Sequence, residues 1–243
     1  MKTNKKTSPK NKGQYYMYGT HAVLAAANNK SRKINHIYCL AKHEEELRKE
    51  ISHIPITTVQ NDFITKIVGK DQTHQGVIAL VDTIFKNGLE SIDLSSTQEK
   101  IAILDQISDP QNIGAIIRSA AAFGIKTIIL LNDNSPEENA TIAKTACGCL
   151  ELVKIIKVTN LKNTIEKLKK AGFWIAGLDA SGNTNPDTLK EISKIAFIIG
   201  SEGKGMRRLT AKCCDFLVQI PISKDVESLN ASNAASIIFY LMR

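Results

Sequence analysis

Residues 100–131 read KIAILDQISDPQNIGAIIRSAAAFGIKTIILL. The segment 100–104 is a short aliphatic run of the length of a buried strand, and Asp109-Pro110 makes a turn. Residues 112–123 carry apolar side chains at helical spacing and Gly124 supplies the stop. A second aliphatic strand follows at 127–131. Strand, helix and strand in about thirty residues form the crossover unit of a parallel sheet.

The alternation continues downstream. Strands are expected at 153–158, 173–178, 195–200 and 216–220, with helices at 137–147, 161–170 and 228–242. Short Ile- and Val-rich runs divided by helices predict a parallel sheet covered on both faces, a domain at 99–243. Upstream, 86–98 is polar and serine-rich and reads as a linker. Residues 14–85 alternate again: a helix at 20–28 with Thr20 as N-cap, a strand at 34–40, a charged helix at 44–52, a short β stretch at 56–60, a helix at 62–68 and a strand at 76–85. This is a small α/β domain. Residues 1–13 hold five lysines among polar residues and read as a disordered basic tail.

Composition narrows the function classes. The 243 residues are 43% hydrophobic and 23% charged, an ordinary globular balance, with no apolar run long enough to span a membrane. The net charge of +8 is concentrated: residues 1–42 carry nine Lys/Arg and no Asp or Glu, while the rest holds 23 basic and 24 acidic side chains. Such asymmetry points to a polyanion met by the N-terminal part, RNA being the expected partner. Five cysteines without a C-x-x-C pair suggest reduced thiols in a cytoplasmic protein, with no disulfide and no metal.

Familiar nucleotide signatures fail. No G-x-G-x-x-G follows a strand, and in Gly200-Ser201-Glu202-Gly203-Lys204-Gly205 the lysine precedes glycine, where a P-loop needs Ser or Thr. All five histidines lie in the first 74 residues, so the second domain offers no imidazole base. Three polar segments after strands remain. They centre on Asn112 and Arg118, on Gly200, Glu202 and Gly205, and on Pro221, Ser228 and Asn230. Loops at the carboxyl ends of parallel strands form the ligand crevice of an open sheet, which makes the three together a candidate site.

In this order and spacing the segments resemble the SpoU (TrmH) family of RNA ribose 2′-O-methyltransferases, of the SPOUT superfamily. The family's N-x-G-x-x-x-R is matched by Asn112, Gly114 and Arg118. Its G-x-E-x-x-G is matched by Gly200, Glu202 and Gly205, and its proline followed by S-L-N by Pro221, Ser228, Leu229 and Asn230. The chain departs from the pattern at Ile222, Lys224, Ala231 and Asn233. Tyr18–Val23 and Thr73–Val77 are similar to the substrate-binding domain of the 23S ribosomal RNA guanosine-2′-O-methyltransferase subgroup.

The resemblance implies a parallel-sheet methyltransferase domain closed by a C-terminal trefoil knot. It places Gly200, Ile220 and Leu229 around S-adenosylmethionine, mainly through backbone, with no acidic ribose clamp. Arg118, Asn112, Glu202, Ser228 and Asn230 are the implied catalytic set. Arg118 is read as a phosphate clamp in preference to a base, because a guanidinium is a donor that stays charged. A homodimer packed through the C-terminal helix is also implied. Two other readings stay open: the same chemistry on transfer RNA, and a non-catalytic RNA-binding protein on the same scaffold.

Overall fold

The structure is a computed structural model, and residues 13–51 and 53–243 are described. The basic stretch 1–13 lies, apart from Gly13, outside them. The described residues form two compact units, those up to Ile84 with 138–151, and residues 85–137 with 152–243.

The first unit opens with a strand that the sequence reading did not anticipate, β1 (Gln14–Tyr18), followed by α1 (Thr20–Asn28) and β2 (Ile34–Cys39). Then come α2 (Ala41–Glu50), β3 (Ile56–Thr58), α3 (Asn61–Val68) and β4 (Val77–Asp82). The sheet order is β1-β4-β2-β3, with only β2 and β3 parallel. Thr20 is not the N-cap of α1. That position falls to Gly19 at φ 96°, and the Gln75 side chain accepts from the Thr20 N–H at 3.0 Å in place of a local cap. The two segments 18–23 and 73–77 are thereby joined, with Gly19 N–H also donating to Val77 O at 3.1 Å.

The second unit begins at Phe85, so the stretch expected to be a linker belongs to it. Ile92 is buried in its core with Leu89 and Leu94 packed alongside, and Asn87 bridges to the strand at Ile156. The apolar residues spaced through a polar stretch were its core contacts. The unit continues with β5 (Glu99–Asp105), α4 (Pro110–Ala122) and β6 (Thr127–Leu131). Asp109 caps α4 by accepting from Gln111 N–H at 3.0 Å, and Pro110 fits the first turn, where no N–H is needed. The chain then leaves for α5 (Ala140–Ala146) in the first unit. It returns with β7 (Lys154–Val158), α6 (Leu161–Lys170), β8 (Trp174–Leu178), β9 (Lys194–Gly200), α7 (Arg208–Ala211), β10 (Phe216–Val218) and α8 (Ala231–Leu241).

All neighbours in the sheet β10-β8-β9-β5-β6-β7 are parallel. Its central strands are buried on both faces, as the uninterrupted aliphatic runs required. After β10 has taken the sheet edge, α8 returns to pack on α4 and β9, with Ser119 and Ser236 hydroxyls 2.5 Å apart. The helix expected at 228–242 starts later, at Ala231. Asn230 is its N-cap, accepting from Ser232 N–H at 2.8 Å and Asn233 N–H at 3.3 Å.

Residues 138–151, expected within the second domain, belong to the first unit, and an ion-pair cluster ties both ends of the segment to it. Arg32 is buried there between Glu138, at 2.5 Å, and Glu151, at 2.6 Å, with all three side chains almost fully shielded. Glu138 also accepts from Tyr15 Oη at 2.7 Å, Thr83 Oγ1 at 2.8 Å and Ile84 N–H at 2.6 Å. Asn29 donates to Glu151 at 2.6 Å. Burial works against the Arg32 charge, but the bonds it donates to Glu151 and the charge of Glu138 outweigh it and raise its pKa above the ordinary value. Removing one member leaves buried charge uncompensated. Arg32→Met is expected to destabilise the first unit by about 3–5 kcal/mol. Urea denaturation followed by tyrosine fluorescence checks this, and a loss under about 1 kcal/mol would refute it.

Candidate functional site

The site is built at the carboxyl ends of β5, β8, β9 and β10. The register places Asp105, last in β5, beside Gly200, last in β9. Asp105 is fully buried. It accepts from the Arg207 backbone N–H at 3.2 Å and from its Nε and Nη2, each at 2.8 Å. This fixes the far end of the glycine loop to the central strand. The near end folds tightly: Ser201 and Gly205 exchange backbone hydrogen bonds at 3.1 and 2.8 Å. Gly203 and Gly205 take φ of 73° and 63°, where a side chain would be strained. A Cβ on Gly200 would lie 2.3 Å from both Gly205 C and Met206 N, so only glycine fits.

The folded loop presents Glu202. Asn112, in the first turn of α4, donates through Nδ2 to Glu202 Oε1 at 2.9 Å. Asn230, the cap of α8, donates through Nδ2 to the same oxygen and to Asn112 Oδ1 at 3.1 Å. Three expected site residues, separated by as many as 118 positions, thus form one hydrogen-bonded set. Glu202 is shared with a crevice of about 400 Å³, whose lining includes Gly200, Ile220, Ser228 and Leu229. A larger hollow of about 610 Å³ lies at the amino ends of β5 and β6, around Glu99, Lys100 and Lys126, and holds none of the expected residues.

Arg118 stands apart. It is exposed on α4 and lies neither in the set nor on the crevice wall, because six helical residues turn it about 600° from Asn112, onto another face. Sequence reasoning missed Asp105 and Arg207. An acidic residue ending an aliphatic strand just before the first polar segment was the available signal. It also missed Asp179 and Glu227: the resemblance implied no acidic ribose clamp, yet both carboxylates line the crevice. Cysteine chemistry is disfavoured here: burial pushes the Cys214 thiol, behind Gly177 and Met206, up to about 12, so it stays protonated.

An open parallel sheet with a glycine- and aliphatic-walled crevice at its carboxyl ends defines an α/β protein of the ligand-binding, open-sheet class. Residues 99–240 match the SpoU rRNA Methylase family, and residues 16–84 match the RNA 2′-O ribose methyltransferase substrate-binding family. The chain belongs to the SpoU rRNA methylase family. It is 33% identical over 233 residues to the 23S rRNA (guanosine-2′-O-)-methyltransferase RlmB of Vibrio parahaemolyticus, covering 93% of this chain and 94% of that protein. It is 37% identical over 231 residues to RlmB of Neisseria meningitidis, covering 91% and 92%. Among solved structures, the SpoU methyltransferase AviRb from Streptomyces viridochromogenes, in complex with the cofactor AdoMet, superposes with a TM-score of 0.82 at 22% identity. It covers 95% of this chain and 89% of that one.

The shared carboxylate gives a direct test. Asn230→Asp keeps the α8 cap but sets a second carboxylate against Glu202. The thermal midpoint at pH 7 is expected to fall by roughly 2–6 °C. The gap should be smaller at pH 4 than at pH 7 if repulsion between the two carboxylates causes it. An equal gap at both pH values would mean that charge repulsion is not the cause.

Proposed function

We propose that the chain transfers a methyl group from S-adenosylmethionine to the ribose 2′-hydroxyl of a guanosine in 23S ribosomal RNA. The observation that carries this reading is the joined set of Asn112, Glu202 and Asn230, which meets the crevice through Glu202. Family membership supports RNA methylation, and the relatives' names support the ribosomal guanosine. The match of 16–84 to a substrate-binding domain favours an RNA partner met by the first unit.

The residues present fit the cofactor. Leu178, Ile199, Ile220 and Leu229 offer aliphatic walls, and the crowding at Gly200 brings backbone close to the crevice. Bound there, S-adenosylmethionine supplies an electrophilic methyl group. The protein's part is to bind and orient. Asn112, Glu202 and Asn230 are fixed by one another and hold the ribose, and Ser228 adds a hydroxyl on the crevice wall that Glu202 lines. Arg118 is a permanent cation and donor on an exposed helix face, so it suits clamping a phosphate of the target nucleotide better than removing a proton. The return of α8 to the sheet centre after β10 supports the C-terminal trefoil knot that the resemblance implies.

A homodimer through α8 belongs to the same proposal. Ile238 and Phe239 close their own chain's core, but Tyr240 is 47% exposed and Ile237 and Leu241 are half-buried, leaving an apolar face for a second copy. No described helix is long and apolar enough to cross a membrane, and a ribosomal RNA substrate favours the cytoplasm.

A strain lacking the gene is expected to lose one 2′-O-methylguanosine from 23S ribosomal RNA. Wild type should restore it and Arg118→Ala should not, while the variant keeps S-adenosylmethionine affinity within a few-fold. An unchanged methylation map would overturn the function. Loss of cofactor binding in folded Arg118→Ala would overturn that residue's role. Light scattering at micromolar concentration is expected to give about twice the 26.7 kDa chain mass. A monomer there would exclude the dimer.

A further inference from the structure

Three carboxylates line the crevice: Asp179, Glu202 and Glu227. Glu202 is occupied by Asn112 and Asn230. Glu227 is exposed and makes no hydrogen bond with another described residue. Asp179 combines what the other two lack. It is half-buried directly after β8, and its Oδ1 accepts from Ser181 N–H at 2.8 Å and Ser181 Oγ at 2.6 Å. Its Oδ2 has no partner among the described residues.

The turn that carries it is held on several sides. Asp179 N–H donates to Val218 O at 3.0 Å, and Asn183 and Thr184 N–H donate to Leu217 O at 3.1 and 3.0 Å. Gln219 Nε2 donates to Ala180 O at 2.6 Å. Gly182 lies so close to β10 that a Cβ would meet Leu217 O at 2.5 Å. The carboxylate is therefore placed before any ligand arrives, which reduces the ordering cost of using it.

We infer that Asp179 is a cofactor-binding residue whose free carboxylate oxygen accepts hydrogen bonds from the ribose hydroxyls of a nucleoside cofactor. This rests on the reading that the crevice holds S-adenosylmethionine. A ribose diol offers two O–H donors, and an ionised carboxylate is an acceptor with spare lone pairs. Such charge-assisted bonds are stronger than neutral ones, the more so in a partly enclosed crevice. Lys204, also on the wall, is a donor only and cannot substitute. The same negative charge disfavours a nucleotide phosphorylated on the ribose hydroxyls, so the residue selects an unmodified diol.

Isothermal titration of the full-length protein with S-adenosylhomocysteine and its 2′-deoxy and 3′-deoxy analogues tests this. Wild type is expected to lose about ten- to hundredfold in affinity on removal of the hydroxyl that meets Asp179. Asp179→Asn and Asp179→Ala should bind the parent compound correspondingly more weakly and should be indifferent to the missing hydroxyl. A thermal melt of each variant accompanies the titration. If Asp179→Ala does not fold, Asp179→Asn, which keeps the acceptor for Ser181 N–H, carries the test. Wild-type affinity in Asp179→Asn, or an undiminished deoxy penalty in that variant, overturns the inference and leaves the methyltransferase reading intact. If wild type binds neither S-adenosylmethionine nor S-adenosylhomocysteine, the reading of the crevice fails and this inference with it.

Discussion

The backbone at Gly205 and Met206 runs within 2.3 Å of where a side-chain carbon on Gly200 would sit, and much of the site's geometry follows from that contact. The close approach lets the loop double back. The doubled loop turns Glu202 toward the starts of α4 and α8, and Asp105 locks the loop's exit through Arg207. A methyl group at Gly200 would open the hairpin and withdraw the carboxylate that Asn112 and Asn230 share. Backbone crowding thus fixes side-chain chemistry arising in segments 28 to 118 residues apart.

The polar set also serves the fold. Asn230 caps α8 with one end of its amide and holds Glu202 with the other. The start of the last helix and the orientation of the site are therefore one piece of geometry. Such double use explains a departure from simple helix reading: the hydroxyl at Ser228 was free to face the crevice because the cap had been taken two residues later.

The aliphatic runs made the parallel sheet legible, and β6 and α6 fall at the expected residues because their borders carry clear stop and cap signals. Three polar segments after strands were enough to gather Asn112, Glu202 and Asn230, since an open sheet brings such loops together whatever their separation in sequence. What escaped depended on long-range partners. β1 has no alternation strong enough to declare itself before β4 pairs with it. The α1 cap comes from Gln75, 55 residues away. Asp179 lies outside the three segments, and nothing local distinguishes its carboxylate from a surface one. The polar stretch at 86–98 looked like a tether because its few apolar residues are spaced too far apart to show a period.

The placing of 138–151 in the first unit has a consequence for how the protein is made. Arg32, Tyr15 and Thr83 are translated early, yet the carboxylates that complete their cluster arrive with Glu138 and Glu151. Between Ile84 and Glu151 the ribosome adds 67 residues, about 3–13 s of synthesis at ~5–20 residues per second. Until that interval ends the nascent N-terminal region carries a cation destined for burial without its full set of counter-charges.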